Sequence, residues 1–255
     1  MKILAIGDII GKPGRMAVRE LLPGLRREHD IQLVIGNGEN SAGGLGITPN
    51  TAQELFDSGI DVITTGNHVW EKKEIIPYLE DNPDILRPLN YPPTSPGRGY
   101  SSKKGALIVS LIGRTFVGNF DCPFRAMDQL LATLKANPRV IIVDFHAEAT
   151  SEKVAMGRYL DGRASAVLGT HTHVGTIDAC IFPGGTAYVT DIGMVGPVDS
   201  VIGDDADSVL KRFLTLMPSR LSVGKGVVAF DAVVVEVGKD TGRAVDIKRI
   251  RRMVE

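Results

Sequence analysis

Five apolar segments of this chain each end in a short turn that carries a polar side chain able to bind a metal ion. The turns are Gly7-Asp8, Gly36-Asn37-Gly38-Glu39-Asn40, Gly66-Asn67-His68, Phe145-His146 and Gly169-Thr170-His171-Thr172-His173. In α/β proteins the carboxyl ends of the strands meet at one edge of the sheet, where ligands bind. The pattern therefore predicts a functional site assembled from five separate parts of the chain.

Strands and helices alternate over the first 90 residues, which is typical of a parallel sheet with crossover helices. Spacing and composition predict strands at 2–6, 31–35, 61–65, 140–144 and 166–168. They predict helices at 15–29, 49–58, 71–80, 123–137 and 151–161. Thr48 is expected to cap the second helix, and Pro23 is expected to kink or break the first.

The second half of the chain adds antiparallel strands. Residues 88–101 are rich in proline and glycine and predict a loop, and 106–117 predicts two short strands around Gly113. Further strands are expected at 188–190, 227–237 and 244–252, the last two joined as a hairpin. In the strand at 227–237, one face is predicted to carry Phe230, Ala232, Val234 and Glu236, and the other Asp231, Val233, Val235 and Val237. The predicted fold class is α/β, a four-layer αββα sandwich of two mixed β-sheets flanked by helices, with 1–255 as a single domain.

Composition restricts the partners and the cellular location expected for the protein. Lys and Arg number 29 against 30 Asp and Glu, a net charge of −1, so there is no strong nucleic-acid signal. No apolar run reaches the roughly 18 residues that span a bilayer, and the N-terminus has no signal-peptide pattern. Cys122 and Cys180 do not suggest a disulfide framework. We expect a cytoplasmic protein without a membrane partner.

The polar residues at the strand ends form a mixed set of oxygen and imidazole donors without thiolate. The candidate metal ligands are Asp8, Glu39, Asn40, Asn67, His146, His171 and His173. Such donors suit iron, manganese or zinc. Taken singly, each residue is more often a cap, a turn residue or a hydrogen-bonded core residue. Seven donors exceed the needs of one ion, so two ions are predicted, with Glu39 as the bridging carboxylate.

His171 and His173 are two residues apart. In an extended segment such residues point the same way, which predicts that both imidazoles reach one site and that each binds a different ion. Four of the five histidines lie at the strand ends. His29 lies instead in a charged helical stretch and is expected to have no role in the site.

At these residues the chain resembles the calcineurin-like metallophosphoesterases, whose motifs are G-D, an acidic bridging strand end, G-N-H, a lone His and G-H-x-H. Two departures stand out: Ile10 replaces the usual His, and Glu39 replaces the usual bridging Asp. Both match the bacterial YmdB-like branch of that superfamily. Its G-D-I-x-G-x-x-G-R and G-E-N-x-A-x-G-x-G stretches are present as residues 7–15 and 38–46.

The resemblance implies a di-iron or di-manganese phosphodiesterase that hydrolyses 2′,3′-cyclic or 3′,5′-cyclic nucleotides with a metal-bound hydroxide. Iron is the expected metal. Carried over by position, one ion takes Asp8, Glu39, Asn40 and His173, and the other takes Glu39, Asn67, His146 and His171. His68 corresponds to the general acid that protonates the leaving oxygen; its alternative roles are a third ligand or second-layer support.

Two other functions remain open at this point: a regulatory protein that binds metal and nucleotide without turnover, and a phosphomonoesterase of the same fold. Lys12 and Arg15, in a glycine-rich stretch, are candidates for phosphate contact, although this stretch lacks the pattern of a nucleotide-binding P-loop. The expected partner is a small nucleotide phosphodiester. The sequence leaves homo-oligomer formation, the physiological substrate and the native metal undetermined.

Overall fold

A computed structural model describes residues 1–134 and 138–255 of the chain. Its strands are β1 (Lys2–Ile6), β2 (Asp8–Ile9), β3 (Leu33–Asn37), β4 (Val62–Thr64), β5 (Ile85–Leu86), β6 (Tyr100–Lys103), β7 (Ala106–Ile112), β8 (Val140–His146), β9 (Ala166–Thr170), β10 (Cys180–Ile181), β11 (Ala187–Val189), β12 (Met194–Pro197), β13 (Val228–Val237) and β14 (Ala244–Val254). Its helices are α1 (Gly11–Glu28), α2 (Pro49–Asp57), α3 (Ile75–Asp81), α4 (Pro123–Thr133), α5 (Thr150–Tyr159) and α6 (Ala206–Thr215).

The first sheet joins the two ends of the chain. Strands β1, β3, β4 and β5 run parallel, as expected for strands linked by crossover helices. The long strand β13 lies antiparallel to β1 on one side and to β14 on the other. The short strand β2 pairs with β12, with Asp8 opposite Met194. Asp8 is therefore fixed by strand pairing just beyond the end of β1.

The second sheet has a parallel centre and antiparallel edges. Strands β7, β8, β9 and β11 run parallel, while β6 and β10 pair antiparallel at the two edges. His146 is the last residue of β8 and lies in register with Ile112 on one side and Thr170 on the other. Its position is thus set by two neighbouring strands.

Alternate residues of β13 show how the layers are stacked. Phe230 and Val234 pack with the helices α1, α2 and α3 on the outer face of the first sheet. Val233 and Val235 pack instead against residues of the second sheet, including Ile142 of β8. This alternation follows from the two-residue period of a strand, and it was predicted from the sequence of 227–237.

A third apolar layer closes the molecule on the far side. Met127 of α4 and Met156 of α5 pack on the outer face of the second sheet, against Val109 and Val143. The order is therefore helices, sheet, sheet, helices. The predicted four-layer αββα arrangement with two mixed sheets is confirmed.

Some predicted boundaries were wrong. Residues 106–117 form one strand, β7, followed by a turn rather than a second strand. The backbone N–H groups of Arg114 and Thr115 donate to the carboxylate of Glu152, at 3.1 Å each, instead of to a neighbouring strand. The predicted loop 88–101 is shorter than expected, because Tyr100 already begins β6.

The helices differ from prediction mainly at their ends. Helix α1 begins at Gly11, so the glycine-rich stretch is its first turn, and it continues through Pro23 without a break. The carbonyl of Arg19, which loses its partner to Pro23, belongs to an exposed residue where solvent can replace the bond.

Helix α3 begins at Ile75, four residues later than predicted, and α5 ends at Tyr159 rather than at 161. Helix α4 ends at Thr133; the predicted extension over 135–137 lies outside the described residues. Helix α6 and strands β2, β5, β6, β10 and β12 were not predicted.

No helix in 1–134 or 138–255 combines the length and the apolar character needed to cross a membrane.

Candidate metal centre

The seven predicted ligand residues come together where the carboxyl ends of β1, β3 and β4 in the first sheet face those of β8 and β9 in the second. Each lies within 4.0 Å of at least one other member of the set. Two groups can be distinguished, one around Asp8 and one around His146.

The first group consists of Asp8, Asn40 and His173. The imidazole Nε2 of His173 lies 3.6 Å from Oδ1 of Asp8 and 3.3 Å from Nδ2 of Asn40. Nδ1 of His173 lies 2.7 Å from the carbonyl oxygen of Ile202, to which it donates. The hydrogen bond to a carbonyl requires the proton on Nδ1, which in the neutral ring leaves the Nε2 lone pair directed at Asp8.

The second group is centred on Nε2 of His146. That nitrogen lies 2.9 Å from Oε1 of Glu39, 2.9 Å from Nδ1 of His171 and 3.1 Å from Oδ1 of Asn67. Nε2 of His171 lies 3.1 Å from the carboxylate of Glu148. Donor atoms of Glu39, His146 and His171 all lie within 4.8 Å of one another, which is the geometry of a group able to hold one cation.

Two carboxylate oxygens in these groups are buried and have no hydrogen-bond donor among the described residues. They are Oδ1 of Asp8 and Oε1 of Glu39. The other oxygen of each carboxylate is satisfied, by the backbone N–H of His171 at 3.1 Å and of His68 at 2.9 Å. Oε1 of Glu39 lies 2.9 Å from Nε2 of His146, but the geometry of that contact is not that of a hydrogen bond. Buried, unsatisfied carboxylate oxygens facing imidazole nitrogens fit a bound cation.

The electrostatics of the site agree with that fit. Burial acts to raise the pKa of both Asp8 and Glu39, but the nearby histidines outweigh it and lower both pKa values. Burial likewise acts to lower the pKa of His173, but the negative charge of Asp8 raises it to about 9. A field that is negative enough to hold a proton at a buried imidazole also attracts a metal ion.

The segment containing His171 and His173 is not extended, so that premise of the sequence argument was wrong. Strand β9 ends at Thr170, and His171 and His173 have φ angles of 102° and 64°. Non-glycine residues at positive φ cost of the order of 1–3 kcal/mol each. Both imidazoles nevertheless reach the site, one in each group, because the turn folds back over Asp8 and His146.

Support for His146 comes from residues that sequence reasoning missed. Its Nδ1 lies 3.0 Å from the hydroxyl of Thr170, and that hydroxyl donates to Oδ1 of Asp144 at 2.7 Å. Thr64 also donates to Asp144, and Asn37 contacts it at 3.3 Å. These contacts place the proton of His146 on Nδ1 and free Nε2 for the site. The only sequence signal was a charged residue inside an apolar strand.

Burial dominates the ionisation of Asp144. It raises the pKa of this carboxyl to about 6, against the lowering effect of His146 and of the hydroxyl groups. The cluster beneath His146 is therefore buried and hydrogen-bonded.

Gly66 gives His146 its space. A Cβ atom at this position would lie 2.1 Å from Cδ2 of the His146 ring, closer than non-bonded atoms approach. Only glycine fits between β4 and the histidine. This explains the glycine of the Gly66-Asn67-His68 sequence.

His68 lies beside the donors without belonging to either group. Its side chain is 32% exposed, with Nδ1 at 3.8 Å from Glu71 and Nε2 at 3.1 Å from Nδ2 of Asn67. Its backbone N–H is held by Glu39. The imidazole thus faces the open cavity while its backbone is anchored to the floor of the site.

A cavity of about 1070 Å³ opens over the two groups. Its lining includes Glu39, His68, His171 and His173 together with four basic residues, Lys12, Lys72, Arg212 and Arg220. None of these four lies within 4.0 Å of a carboxylate among residues 1–134 and 138–255. Arg15 is different: it pairs with Glu54 at 2.6 Å and does not line the cavity.

Solved structures share this fold over nearly the whole chain. A phosphatase from Mycoplasma pneumoniae superposes with a TM-score of 0.93 at 32% identity, covering 99% of this chain and 93% of that one. A hypothetical protein from Thermus thermophilus superposes with a TM-score of 0.92 at 44% identity, covering 99% of both chains. Fold and site together define a phosphoesterase of the calcineurin-like fold, a hydrolase acting on phosphoric esters.

Sequence comparison identifies the family. The model of the YmdB-like protein family matches residues 4–250, and the chain belongs to that family. The 2′,3′-cyclic-nucleotide 2′-phosphodiesterase of Bacillus subtilis (strain 168) is 46% identical over 254 residues, covering 98% of this chain and 96% of the relative. The resemblance stated from the motifs is therefore confirmed.

Proposed function

We propose that this chain is a dinuclear metal-dependent phosphodiesterase that opens 2′,3′-cyclic nucleotides at the 2′ ester and leaves a 3′-phosphate. One observation carries the proposal: two buried carboxylate oxygens without donors, on Asp8 and Glu39, each face an imidazole nitrogen at the base of the cavity. The 46% identity to a 2′,3′-cyclic-nucleotide 2′-phosphodiesterase supports the choice of substrate. Residues 1–255 are proposed to form one domain.

The two groups of donors suggest how the ions are divided. In the proposal one ion is held by Asp8, Glu39, Asn40 and His173, and the other by Glu39, Asn67, His146 and His171. Two cations bound there would stabilise negative charge on the phosphoryl oxygens and would lower the pKa of a bound water toward neutrality. Nitrogen and oxygen donors without thiolate suit iron, with manganese and zinc as alternatives.

His68 is proposed as the general acid. The ribose 2′ oxygen is a poor leaving group unless it gains a proton as the P–O bond breaks. His68 faces the cavity, stands outside both donor groups, and has its backbone tied to Glu39 at 2.9 Å. An imidazole held beside the reacting phosphate can donate that proton.

The rest of the cavity suits an anionic substrate with an apolar part. Lys12, Lys72, Arg212 and Arg220 contribute positive charge to its lining. Apolar lining comes from Leu45, Ile202 and Val223, which can contact a base or sugar. The segment 198–225, between β12 and β13, supplies much of this lining and is called the wall below.

Hydrolysis of phosphomonoesters is the second candidate, because the relative from Mycoplasma pneumoniae is described as a phosphatase. Activity on 3′,5′-cyclic nucleotides stays a prediction, as do the cytoplasmic location and homo-oligomer formation. A regulatory protein that binds nucleotide without turnover would show no steady hydrolysis of any of these substrates.

Metal analysis combined with a substrate panel tests the proposal. We expect about two transition-metal ions per chain after reconstitution with Fe or Mn, and higher kcat/KM on 2′,3′-cyclic nucleotides than on 3′,5′-cyclic nucleotides or nucleoside monophosphates. Chelation should abolish turnover. At most one ion per chain in fully active protein would refute the dinuclear centre, and preference for a monoester would favour the phosphatase.

A further inference from the structure

Asp191 is a fully buried carboxylate just after β11 that contacts none of the proposed metal ligands. Its Oδ2 accepts hydrogen bonds from the backbone N–H of Thr172 at 3.1 Å and from the Thr172 hydroxyl at 2.8 Å. Its Oδ1 accepts from the backbone N–H of Gly193 at 2.8 Å. One buried side chain therefore accepts hydrogen bonds from both donors of Thr172, just beyond the end of β11 in the second sheet.

Lys153 balances the charge of Asp191. This lysine lies on α5 with its side chain 1% exposed, and its Nζ is 2.7 Å from Oδ2 of Asp191. A lysine is almost never this deeply buried without a partner, and burying the pair costs more than an apolar pair of similar size would. Such a pair is therefore expected to serve a positional purpose.

Thr172 is the residue between the two histidines of the site. His171 and His173 both have positive φ, a conformation that persists only where surrounding contacts impose it. The backbone N–H of His171 is held by Asp8, and Nδ1 of His173 by Ile202. Between these two contacts, the fixed point of the turn is the pair of hydrogen bonds from Thr172 to Asp191.

We propose that Asp191, with Lys153 as its counter-charge, is a positioning residue that holds the His171-Thr172-His173 turn in the conformation that presents both imidazoles to the two proposed ions. The inference rests on the proposed function for what the histidines bind. The hydrogen bonds from Thr172 to Asp191 do not depend on that function. Loss of the hold should therefore be detectable with and without metal.

The experiment compares D191N with D231N, a matched control. Asp231 is also a buried carboxylate, on β13, but it has no hydrogen bond to the 171–173 turn. In D191N an NH₂ group replaces one of the two acceptor oxygens, so it meets an N–H donor at either Thr172 or Gly193, and the charge that pairs with Lys153 is lost. We expect the Kd for Mn²⁺, measured by calorimetry on metal-free protein, to rise roughly 10–100-fold in D191N, as for supporting residues in other metal sites. In D231N it should stay within about threefold of wild type.

A second measurement does not depend on metal. Amide hydrogen exchange at Thr172 in metal-free protein should be at least about tenfold faster in D191N than in wild type, and unchanged in D231N. A purely structural role for Asp191 would instead lower the unfolding temperature of D191N without a selective change in exchange at Thr172.

If D191N does not fold, T172V and T172S carry the test, because T172V replaces only the hydroxyl, whereas T172S keeps the hydroxyl and removes only the methyl group. T172V removes one of the two hydrogen bonds and should weaken Mn²⁺ binding by about threefold to tenfold, and T172S should restore it. Equal Kd values for T172V, T172S and wild type would overturn the proposal.

The outcomes also separate this proposal from the proposed function. Folded D191N with wild-type Kd and wild-type exchange at Thr172 overturns the positioning role and leaves the metal centre standing. Wild-type protein that binds no Mn²⁺ overturns the metal centre. In that case amide exchange at Thr172 alone tests the positioning role of Asp191. Faster exchange in D191N supports that role, and unchanged exchange overturns it.

Discussion

The floor of the cavity, formed by Asp8, Glu39, His146 and the residues that hold them, contrasts with the wall, residues 198–225. Asp8, Glu39 and His146 are 0% exposed, whereas Phe213 in the wall is 72% exposed. Floor residues come from five separate strand ends and are joined by hydrogen bonds between distant parts of the chain. The wall is one continuous excursion between β12 and β13.

This difference in burial indicates that the two regions have different roles. A buried site with polar partners on every side can hold charges at fixed distances, which catalysis requires. Exposed side chains on a surface segment hold no fixed geometry of that kind, but they can meet substrates of varied shape. Changes in the floor should therefore affect metal binding and kcat, and changes in the wall should affect KM.

The largest effect is expected for Glu39→Gln. Glu39 is proposed to bridge both ions, and the amide keeps its shape while removing its charge. Because each lost cation withholds several kcal/mol of charge stabilisation, kcat/KM should fall roughly 10⁴-fold or more, with loss of metal from both sites. Metal content by elemental analysis and turnover of a 2′,3′-cyclic nucleotide measure this.

His29→Gln is the control for that experiment. His29 follows the last residue of α1, an 18-residue helix about 27 Å long that begins beside the site. We expect wild-type metal content and turnover. Equal metal content in the Glu39 and His29 variants would contradict the role of Glu39, and would break the contrast between floor and periphery.

His68→Ala tests a residue between floor and wall. Both metals should remain bound, while kcat on a 2′,3′-cyclic nucleotide falls roughly 10²–10⁴-fold because the leaving oxygen is no longer protonated. The loss should be much smaller on a nitrophenyl phosphodiester, whose leaving group needs little protonation. An equal loss on both substrates would rule out the general-acid role, and loss of metal would make His68 a ligand or a support for one.

Thr170→Val sharpens the account of the floor. The hydroxyl of Thr170 links His146 Nδ1 to the carboxylate of Asp144, at 3.0 and 2.7 Å. Without it the imidazole orientation is less well defined, and Mn²⁺ affinity should fall roughly 10–100-fold by calorimetry. Thr65→Val is the control, since that buried hydroxyl donates to the carbonyl oxygen of Leu86 at 2.8 Å and contacts none of the proposed metal ligands. Similar losses in both variants would indicate general destabilisation instead.

The smallest effect is expected in the wall. Arg212→Gln and Arg220→Gln each remove one charge from the cavity lining. Because these side chains are exposed and screened, we expect KM for a cyclic nucleotide to rise only about 2–5-fold at low salt, with kcat within about twofold. Arg19→Gln, on the exposed face of α1, is the control for a general charge effect. A fall in kcat with unchanged KM would contradict the proposed division of roles between floor and wall.

Local pattern was enough to predict much of this protein. The alternation of Phe230 to Val237 assigned each face of β13 correctly, because side chains on a strand alternate whatever packs against them. The polar residues at the strand ends were found for the same reason: parallel strands linked by crossovers bring their carboxyl ends to one edge.

Local pattern failed where long-range contacts override it. The strand predicted after Gly113 is replaced by a turn bound to Glu152. The convergence of His171 and His173 was predicted for the wrong reason, since their backbone is not extended.

The sequence by itself predicted the layer order, the strand ends and the set of candidate ligands, since these follow from the periodicity of apolar residues and the chemistry of single side chains. Only the tertiary structure decided which donors share a group and which buried residues hold them. Asp144, Thr170 and Asp191 act through hydrogen bonds to distant residues; Thr64, for example, lies 80 positions from its partner Asp144. Such partners are chosen by the packing of the two sheets, and no spacing along the chain encodes that packing.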